Sequence, residues 1–290
     1  MPDRTVRGGG SSRMSTVERP STASDDLAAP VVVDPTGTAL ALDGVGVRFG
    51  GIRALSGVSF TVAPGEVMGL IGPNGAGKTT LFDAITGVRF PDEGRVFLGG
   101  RDVTRESPVA RARWGLRRTF QRVQTFGWLT VEDNVLAALE WEGGGGGIFA
   151  DLVAFPTRRS RERARRARVE QTLEVCGLTA VRGESAGSLP IGLARMVEVA
   201  RAVVADPKVL VLDEPSSGLD EVEAARLGER IQALKAAGEC AVVFVEHDIG
   251  FVMEQCDRIV VLDLGQVLAT GSPVEIQQNA AVRAAYLGDA

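Results

Sequence analysis

The chain of 290 residues is long enough for one large domain or two small ones, and its apolar fraction of 44% is typical of a globular protein with a sizeable core. Its 32 basic and 37 acidic residues give a formal charge of −5, which argues against a general nucleic-acid binder, because such proteins need a surplus of cations. No stretch approaches about 18 apolar residues without a charge, and three cysteines without a C-x-x-C pair favour a reducing compartment.

The predicted elements begin after a polar tail. Residues 1–38 are rich in Gly, Ser, Thr, Pro and Asp and show no sustained periodicity, so we expect a disordered N-terminal tail. From residue 39 onward, short β-like runs are separated by turn signals, which predicts a folded domain over 39–290. The first strands are predicted, in chain order, at 40–49, 54–62, 67–71 and 95–98.

The middle of this domain, about 101–187, is more helical and holds most of the arginine. Residues 158–168 contain seven arginines and one acid, which is typical of a solvated helix face; a surface that faces a membrane or a partner is the alternative. After this region helices and apolar strands alternate: helix 190–204, strand 208–212, helix 221–237, strand 241–245, helix 249–255 and strand 258–263. Such alternation predicts an α/β fold with a mostly parallel sheet covered by helices.

A phosphate-binding motif joins the strand predicted at 67–71 to a helix predicted at 79–86. The segment Gly72-Pro73-Asn74-Gly75-Ala76-Gly77-Lys78-Thr79 matches G-x-x-x-x-G-K-[ST], and Thr80 follows it. The glycines let consecutive backbone N–H groups point at an anion, and the helix adds its positive N-terminal end. Lys78 supplies a full charge to the β- and γ-phosphates, and the Thr79 hydroxyl is a ligand for Mg²⁺. The motif predicts phosphate binding; a merely Gly-rich turn is the alternative.

Two adjacent acids follow a second predicted strand. The run 209–212 is wholly apolar, as in a strand buried on both faces, and Asp213 and Glu214 come directly after it. We expect this strand end beside the phosphate-binding loop, at the carboxyl edge of the sheet. There Asp213 can hold the Mg²⁺ shell and Glu214 can polarise the attacking water. Capping of the next helix is the alternative role for the pair.

These motifs resemble those of a known family. Over about residues 39–288 the chain looks like the ATP-binding subunit of an ABC transporter, and most like the ATPases of branched-chain amino-acid importers. The segments that indicate this branch are Arg118-Thr-Phe-Gln121, Leu129-Thr-Val-Glu-Asp-Asn134, Ser188-Leu-Pro-Ile-Gly192 and Ala284-Ala-Tyr-Leu-Gly288. The resemblance implies a P-loop NTPase core with a mostly parallel sheet, an antiparallel β subdomain and a helical subdomain at about 101–187.

The resemblance also implies roles for single residues around ATP. Phe49 matches an aromatic that stacks on adenine, with a core phenylalanine as the alternative. Gln121 matches a glutamine that reaches Mg²⁺ or the water, and His247 matches a switch histidine that contacts the γ-phosphate and orients the water. The implied ATP-binding residues are Phe49 and the loop from Gly72 to Thr80; the implied catalytic residues are Glu214, His247 and Gln121, and the implied metal ligands are Thr79, Gln121 and Asp213.

Two further segments are implied to act across a dimer. Ser217 and Asp220 match a loop that crosses to the partner ATPase. The signature segment, commonly L-S-G-G-Q, binds the γ-phosphate of the nucleotide held by the other subunit through a helix start. Its counterparts here are Ser188, Leu189 and Gly192. Pro190 stands in place of the serine and Leu193 in place of the glutamine; proline suits a first helical position but removes a hydroxyl and an N–H donor.

The function implied by the resemblance is an ATPase that uses ATP and Mg²⁺ to power an importer from the cytoplasmic face of the cell membrane, as a peripheral subunit. The expected partners are a second ATPase, with a homodimer as the alternative to a heterodimer, transmembrane permease subunits and, indirectly, a solute-binding protein, with no nucleic acid. Branched-chain amino acids are the expected solute. Urea, other small polar solutes and lipopolysaccharide are alternatives, since related ATPases serve them.

Two other classes of protein compete with this interpretation. A soluble ABC ATPase that acts on DNA or ribosomes is disfavoured, because the sequence has one P-loop, no heptad run and no C-x-x-C pair. A regulatory ATPase that scarcely turns over is suggested by Pro190 and Leu193. Against this interpretation, the residues expected to carry out hydrolysis are all present: Lys78, Asp213, Glu214 and His247.

Overall fold

The computed structural model describes residues 34–119, 123–139, 155–237 and 240–287. In chain order the strands are β1 (Leu40–Phe49), β2 (Ile52–Val62), β3 (Val67–Ile71), β4 (Glu93–Leu98), β5 (Arg101–Asp102), β6 (Leu116–Arg118), β7 (Val209–Asp213), β8 (Ala241–Val245), β9 (Arg258–Asp263) and β10 (Gln266–Gly271). The helices are α1 (Lys78–Thr86), α2 (Pro108–Arg113), α3 (Val131–Leu139), α4 (Phe155–Val175), α5 (Ile191–Val203), α6 (Glu221–Ala237), α7 (Ile249–Gln255), α8 (Pro273–Gln278) and α9 (Ala280–Val282).

The larger sheet has six strands in the order β10-β9-β3-β8-β7-β6. The five strands from β9 to β6 pair in parallel, and β10 pairs antiparallel with β9. All residues of β3 and β8 are buried, as expected for parallel strands covered on both faces. This arrangement confirms the predicted α/β fold with a mostly parallel sheet.

The four-stranded sheet lies against one face of this larger sheet. Its order is β2-β1-β4-β5, and its pairs are antiparallel. Because successive side chains of a strand point to opposite faces, β7 contributes to two separate cores. Leu210 and Leu212 pack with buried residues of α3 to α7, whereas Val209 and Val211 pack with α1 and the antiparallel sheet. The predicted antiparallel β subdomain is therefore present.

Short and polar strands are where the structure differs from the sequence-based prediction. β5 and β6 both lie in the stretch 101–187 that was expected to be helical. β6 joins the edge of the parallel sheet by pairing Leu116 with Val209 and Arg118 with Val211. Its sequence, Leu-Arg-Arg, has no apolar periodicity, so the pairing with β7 rather than local propensity makes it a strand. β10 was not predicted either, because it is partly exposed and its pattern is irregular.

Some sequence-based predictions fall outside the described part of the chain. Most of the expected tail over 1–38 does so, as do Gln121 and the glycine run at 143–147. The limits of the tail and of the helical subdomain therefore stay predictions. Among the described residues, no helix combines the length and the apolar character that crossing a membrane requires.

Candidate active site

The loop between β3 and α1 has the backbone that the phosphate-binding motif requires. Gly77 is the N-cap of α1 at φ +101°, and no side chain caps the helix. The first N–H groups of α1 are therefore left for a ligand or water to satisfy. A Cβ on Gly72 would lie 2.1 Å from the Leu262 carbonyl oxygen, and one on Gly77 would lie 2.7 Å from that of Ala54. Only glycine fits these two positions, which makes the loop a close-packed anion cradle.

Lys78 is buried at the mouth of this cradle. Its Nζ donates hydrogen bonds to the carbonyl oxygens of Gly72, at 2.6 Å, and Pro73, at 3.0 Å. Burial lowers the pKa of Lys78, and the nearby Glu214 carboxylate opposes that shift. Thr79 follows on the exposed side of the helix start, and Thr80 is half-buried. The arrangement holds one full positive charge where phosphate oxygens would enter.

The second predicted strand ends at the same edge of the sheet, but not directly beside the loop. Asp213 of β7 pairs with Val245 of β8, and Val245 pairs with Leu70 of β3. β7 therefore ends at the carboxyl edge of the sheet, where its end was expected, and β8 lies between β7 and the phosphate-binding strand. Two inter-strand spacings separate β7 from β3 by about 10 Å.

The intervening strand brings the lone histidine to the predicted base. His247 follows β8, and its Nε2 lies 3.2 Å from Oε1 of Glu214. The Glu214 N–H donates to the carbonyl oxygen of Val245 at 3.0 Å, which ties the two strand ends together. Glu214 also has a positive φ of +48°, a conformation uncommon outside glycine and typical of constrained functional positions. Two residues that are 33 positions apart in sequence thus meet at one edge.

Arg118 is a neighbour of the site to which the sequence assigned no role. Its Nη1 donates to Oδ1 of Asp83 on α1 at 2.7 Å, and its Nη2 donates to Oδ2 of Asp213 at 2.9 Å. Burial alone would lower the pKa of Arg118, but the hydrogen bonds that it donates to the two carboxylates, together with their charges, outweigh burial and raise it. The guanidinium therefore orients Asp213 against the helix that carries the phosphate-binding loop. Its position three residues before Gln121 was the only sequence signal.

The residues at this edge suit Mg²⁺. Thr79 and Asp213 offer hydroxyl and carboxylate oxygens, the hard ligands that Mg²⁺ prefers, and Mg²⁺ takes its other ligands from phosphate and water. The described residues hold no group of three or more His, Cys, Asp or Glu side chains able to bind a metal by themselves. A shared site of this kind, completed by the substrate, fits those donors. Gln121, the third predicted ligand, lies outside the described residues.

Phe49 is the last residue of β1. Its side chain is 51% exposed, so it is not a core phenylalanine. The guanidinium carbon of Arg89 lies 4.9 Å from the ring centroid, a cation–π contact that fixes one side of the ring. An exposed aromatic face is compatible with base stacking, and adenine binding by Phe49 stays a prediction.

The signature segment forms the start of α5. Pro190 is the N-cap, with no side-chain hydrogen bond to the helix, and α5 begins at Ile191. The helix therefore begins one residue later than predicted, and Pro190 is its N-cap and not its first helical residue. Gly192 falls in the first turn and Leu189 just outside the helix. The exposed Ser188 donates its hydroxyl hydrogen to the Ser185 carbonyl oxygen at 2.7 Å, so it closes a local turn instead of capping α5.

The loop expected to face a partner packs against α5 within the chain. Arg195 Nη2 donates to the Ser217 carbonyl oxygen at 2.7 Å. The Asp220 carboxylate accepts the Glu223 N–H at 2.8 Å, and the Glu223 carboxylate accepts the Asp220 N–H at 3.3 Å, which caps α6. A Cβ on Gly192 would lie 2.6 Å from Oε1 of Glu223. The helix α5 and the loop with Ser217 and Asp220 therefore contact each other, and both have exposed residues.

Comparison with known proteins agrees with these features. The family model for "ABC transporter" matches residues 55–217, and the model for "Branched-chain amino acid ATP-binding cassette transporter" matches residues 266–290. The chain is 39% identical over 251 residues to the high-affinity branched-chain amino acid transport ATP-binding protein LivG of Salmonella typhimurium, covering 87% of this chain and 98% of that protein. It is also 39% identical over 232 residues to the lipopolysaccharide export system ATP-binding protein LptB of Acidithiobacillus ferridurans, covering 80% and 89%.

Solved structures give the same result for the fold. A crystal structure of the ADP conformation of an ATP-binding cassette of an ABC transporter matches with a TM-score of 0.74 and 30% identity, covering 88% of this chain and 100% of that one. The predicted fold class is thereby confirmed over nearly the whole of the described chain.

Proposed function

Because the chain belongs to the ABC transporter family, we propose that it powers an importer of branched-chain amino acids. The protein binds and hydrolyses ATP. The observation that carries the proposal is the meeting of Glu214 and His247, 3.2 Å apart, at the same sheet edge as the phosphate-binding loop. The match of residues 266–290 to the branched-chain amino acid family supports this cargo.

In the proposed reaction each residue at the edge has a separate task. The uncapped start of α1 and Lys78 hold the phosphate oxygens, and Phe49 stacks on the adenine. Glu214 polarises the water that attacks the γ-phosphorus, and His247 orients that water and contacts the γ-phosphate. Thr79 and Asp213, together with Gln121, hold Mg²⁺, which supplies charge neutralisation at the phosphates when bound.

The proposed working unit is a dimer of ATPase domains with two ATPs between them. The start of α5 is half-exposed, with Ile191 44% exposed, and offers its uncapped N–H groups outward. In a head-to-tail pair it binds the γ-phosphate held by the partner, and the loop with Ser217 and Asp220 crosses the interface. Loss of the γ-phosphate removes these contacts and lets the halves separate. We expect a heterodimer with a related ATPase.

The same proposal places the protein at the cytoplasmic face of the cell membrane. The region of α2 to α4 contacts permease subunits there, and a solute-binding protein acts on the other side. Arg111 is buried and Arg118 contacts Asp213, so within the arginine-rich stretch from Arg105 to Arg122 the exposed Arg105 and Arg113 are the ones that lie near anionic headgroups in this arrangement. Replacing them with alanine should weaken membrane association and transport; unchanged association and transport would remove the headgroup contact from the proposal.

A different cargo is the second candidate. The lipopolysaccharide export ATPase is as similar in identity as the branched-chain amino acid ATPase, although over a shorter part of the chain. Uptake of labelled leucine by cells that express the chain with its neighbouring permease genes separates the cargos. Leucine uptake that is lost on Lys78→Ala supports the amino-acid importer. Uptake of urea alone, or a defect only in lipopolysaccharide export, would show that the chain powers a transporter of that other solute.

The hydrolytic assignment is tested with Glu214→Gln in the complex purified through a tag on this chain. The amide keeps the size of the side chain but cannot act as a base, so we expect ATP turnover to fall by about 100-fold or more while ATP binding persists. The ATP-bound dimer should then accumulate on gel filtration. Glu229→Gln, which changes an exposed carboxylate of α6, is the matched control. Equal turnover in Glu214→Gln and the parent would overturn the assignment.

A further inference from the structure

A buried carboxylate lies directly before the switch histidine. Glu246 is only 2% exposed. Its Oε1 accepts the backbone N–H of Ser216 at 2.6 Å, and its Oε2 accepts the backbone N–H of His247 at 3.1 Å. A buried carboxylate is costly unless hydrogen bonds compensate it, and here each oxygen has a backbone donor. An apolar residue at this position could not accept these two backbone N–H groups, so the carboxylate links them in a way that an apolar side chain could not.

The two donors belong to different functional segments. Ser216 lies two residues after Glu214, in the loop that runs to Ser217 and Asp220. His247 lies in the short segment 246–248 between β8 and α7. Burial raises the pKa of Glu246, the hydrogen bonds from Ser216 and His247 oppose that shift, and the charge of Glu214 adds to it. One carboxylate thus joins the backbone of the histidine to the backbone of the partner-facing loop.

We propose that Glu246 is a positioning residue for ATP hydrolysis, which holds the backbone of Ser216 and His247 in one unit. A shift of His247 on loss of the γ-phosphate is then transmitted through the carboxylate to the loop that contacts the partner. The inference rests on the proposed function, in which Glu214 and His247 manage the attacking water. It adds a residue that acts through His247 and touches neither ATP nor water.

Two contacts of Glu214 show why the extra link matters. The Glu214 N–H bonds to Val245, and its carboxylate meets the His247 ring. Both contacts are made by Glu214, two residues before Ser216, at the start of the loop. The Glu246 contact extends the junction to Ser216, toward the residues that face the partner. A side chain that only satisfied buried N–H groups would affect stability, whereas a positioning residue affects the rate at a given degree of folding.

The test is Glu246→Gln in the complex purified through a tag on this chain. The amide keeps the volume and one acceptor oxygen, but its NH₂ group cannot accept the second backbone N–H. We expect kcat to fall about tenfold, with KM for ATP within twofold of the parent value, because ATP contacts are untouched. An unchanged kcat, or a KM that rises while kcat is kept, would overturn the proposal.

A double-mutant cycle separates positioning from a structural role. His247→Ala removes the group through which Glu246 acts, so adding Glu246→Gln to it should lower kcat by less than a further twofold. Independent effects that multiply would contradict the proposal. If Glu246→Gln does not yield folded protein, Glu246→Asp takes its place: it keeps the charge but withdraws the oxygens from their donors, and the same kcat loss and the same cycle are expected.

A carboxylate at the opposite edge of the sheet provides the control. Asp257 Oδ2 accepts the Val67 N–H at 2.9 Å, which joins two strands as Glu246 joins two segments, but far from the phosphate-binding loop. Asp257→Asn should leave kcat within twofold. If Glu214→Gln and His247→Ala both keep the parent turnover, the proposed function fails. If both lose turnover while Glu246→Gln does not, only the positioning role fails.

Discussion

The phosphate-binding loop and the signature segment are two helix starts with opposite surroundings. Both lead into a helix whose N-cap, Gly77 or Pro190, provides no side-chain cap. The loop is packed against backbone, and its Lys78 is 7% exposed. The signature segment is largely exposed, and a Cβ at Gly192 would meet only the end of a flexible side chain. These surroundings suit the roles proposed for them: an anion site within the chain for the first, and a surface that meets a partner for the second.

The largest expected effect is that of Gly72→Ala on folding. Its Cβ would collide with the Leu262 carbonyl oxygen at 2.1 Å, and φ is +152°, so the free energy of unfolding should fall by about 3 to 5 kcal/mol. Urea unfolding measures this. Gly75→Ala is the matched control in the same loop: φ is +83° but the space is open, and we expect a loss of about 1 to 2 kcal/mol. Equal losses would mean that the loop is not close-packed.

Lys78→Met should have the next largest effect, on ATP affinity. The ammonium is the full positive charge at the mouth of the cradle, and charge-assisted hydrogen bonds of this kind contribute about 10- to 100-fold in affinity. Calorimetric titration with ATP measures the change. Lys208→Met, an exposed lysine on another part of the chain, should bind ATP like the parent. Undiminished affinity in Lys78→Met would remove the lysine from the phosphate site.

Pro190→Ser tests the signature segment as a surface for a partner. The serine restores a hydroxyl and an N–H donor at the N-cap of α5, and one added hydrogen bond to phosphate is expected to raise ATP turnover of the complex about 2- to 10-fold. ATP affinity of the isolated chain should not change, since the role proposed for this helix start is to bind the nucleotide held by the partner. A changed affinity with constant turnover would place the segment in the chain's own site.

Gly192→Ala should have the smallest effect on stability. The new methyl displaces the Glu223 carboxylate, which costs about 0.5 to 1 kcal/mol of helix capping, but alanine favours the helix over glycine by about 1 kcal/mol. The free energy of unfolding should therefore change by less than about 1 kcal/mol. A destabilisation as large as that of Gly72→Ala would show that the two glycines have equivalent surroundings after all.

Much of the fold could be predicted because its elements are strongly patterned. The runs that became β3, β7 and β8 are short, apolar and bounded by turn residues, and their predicted limits lie within one residue of the observed ones. β6 could not be predicted, since two of its three residues are arginines and only β7 makes it a strand. Helix limits shifted slightly for a related reason: whether Pro190 is N-cap or first helical residue depends on the chain that precedes it.

The candidate site divides in the same way. Lys78, Asp213 and Glu214 could be predicted, because their motifs are contiguous and each motif has one physical purpose. Arg118 and Glu246 could not, because an arginine on an edge strand and an acid after an apolar strand are common patterns. Arg118 contacts Asp83 and Asp213, and Glu246 contacts Ser216. These partners are 30 to 95 residues away in sequence.

The sequence by itself determined the phosphate-binding loop, the alternation of strands and helices, and the acids that follow β7, since each depends on neighbours along the chain. Only the tertiary structure decided the order of the strands, with β8 between β3 and β7. That order depends on hydrogen bonds between distant segments, which local patterns do not specify. It brings His247 to Glu214, and it lets Glu246 join the backbone of His247 to that of Ser216.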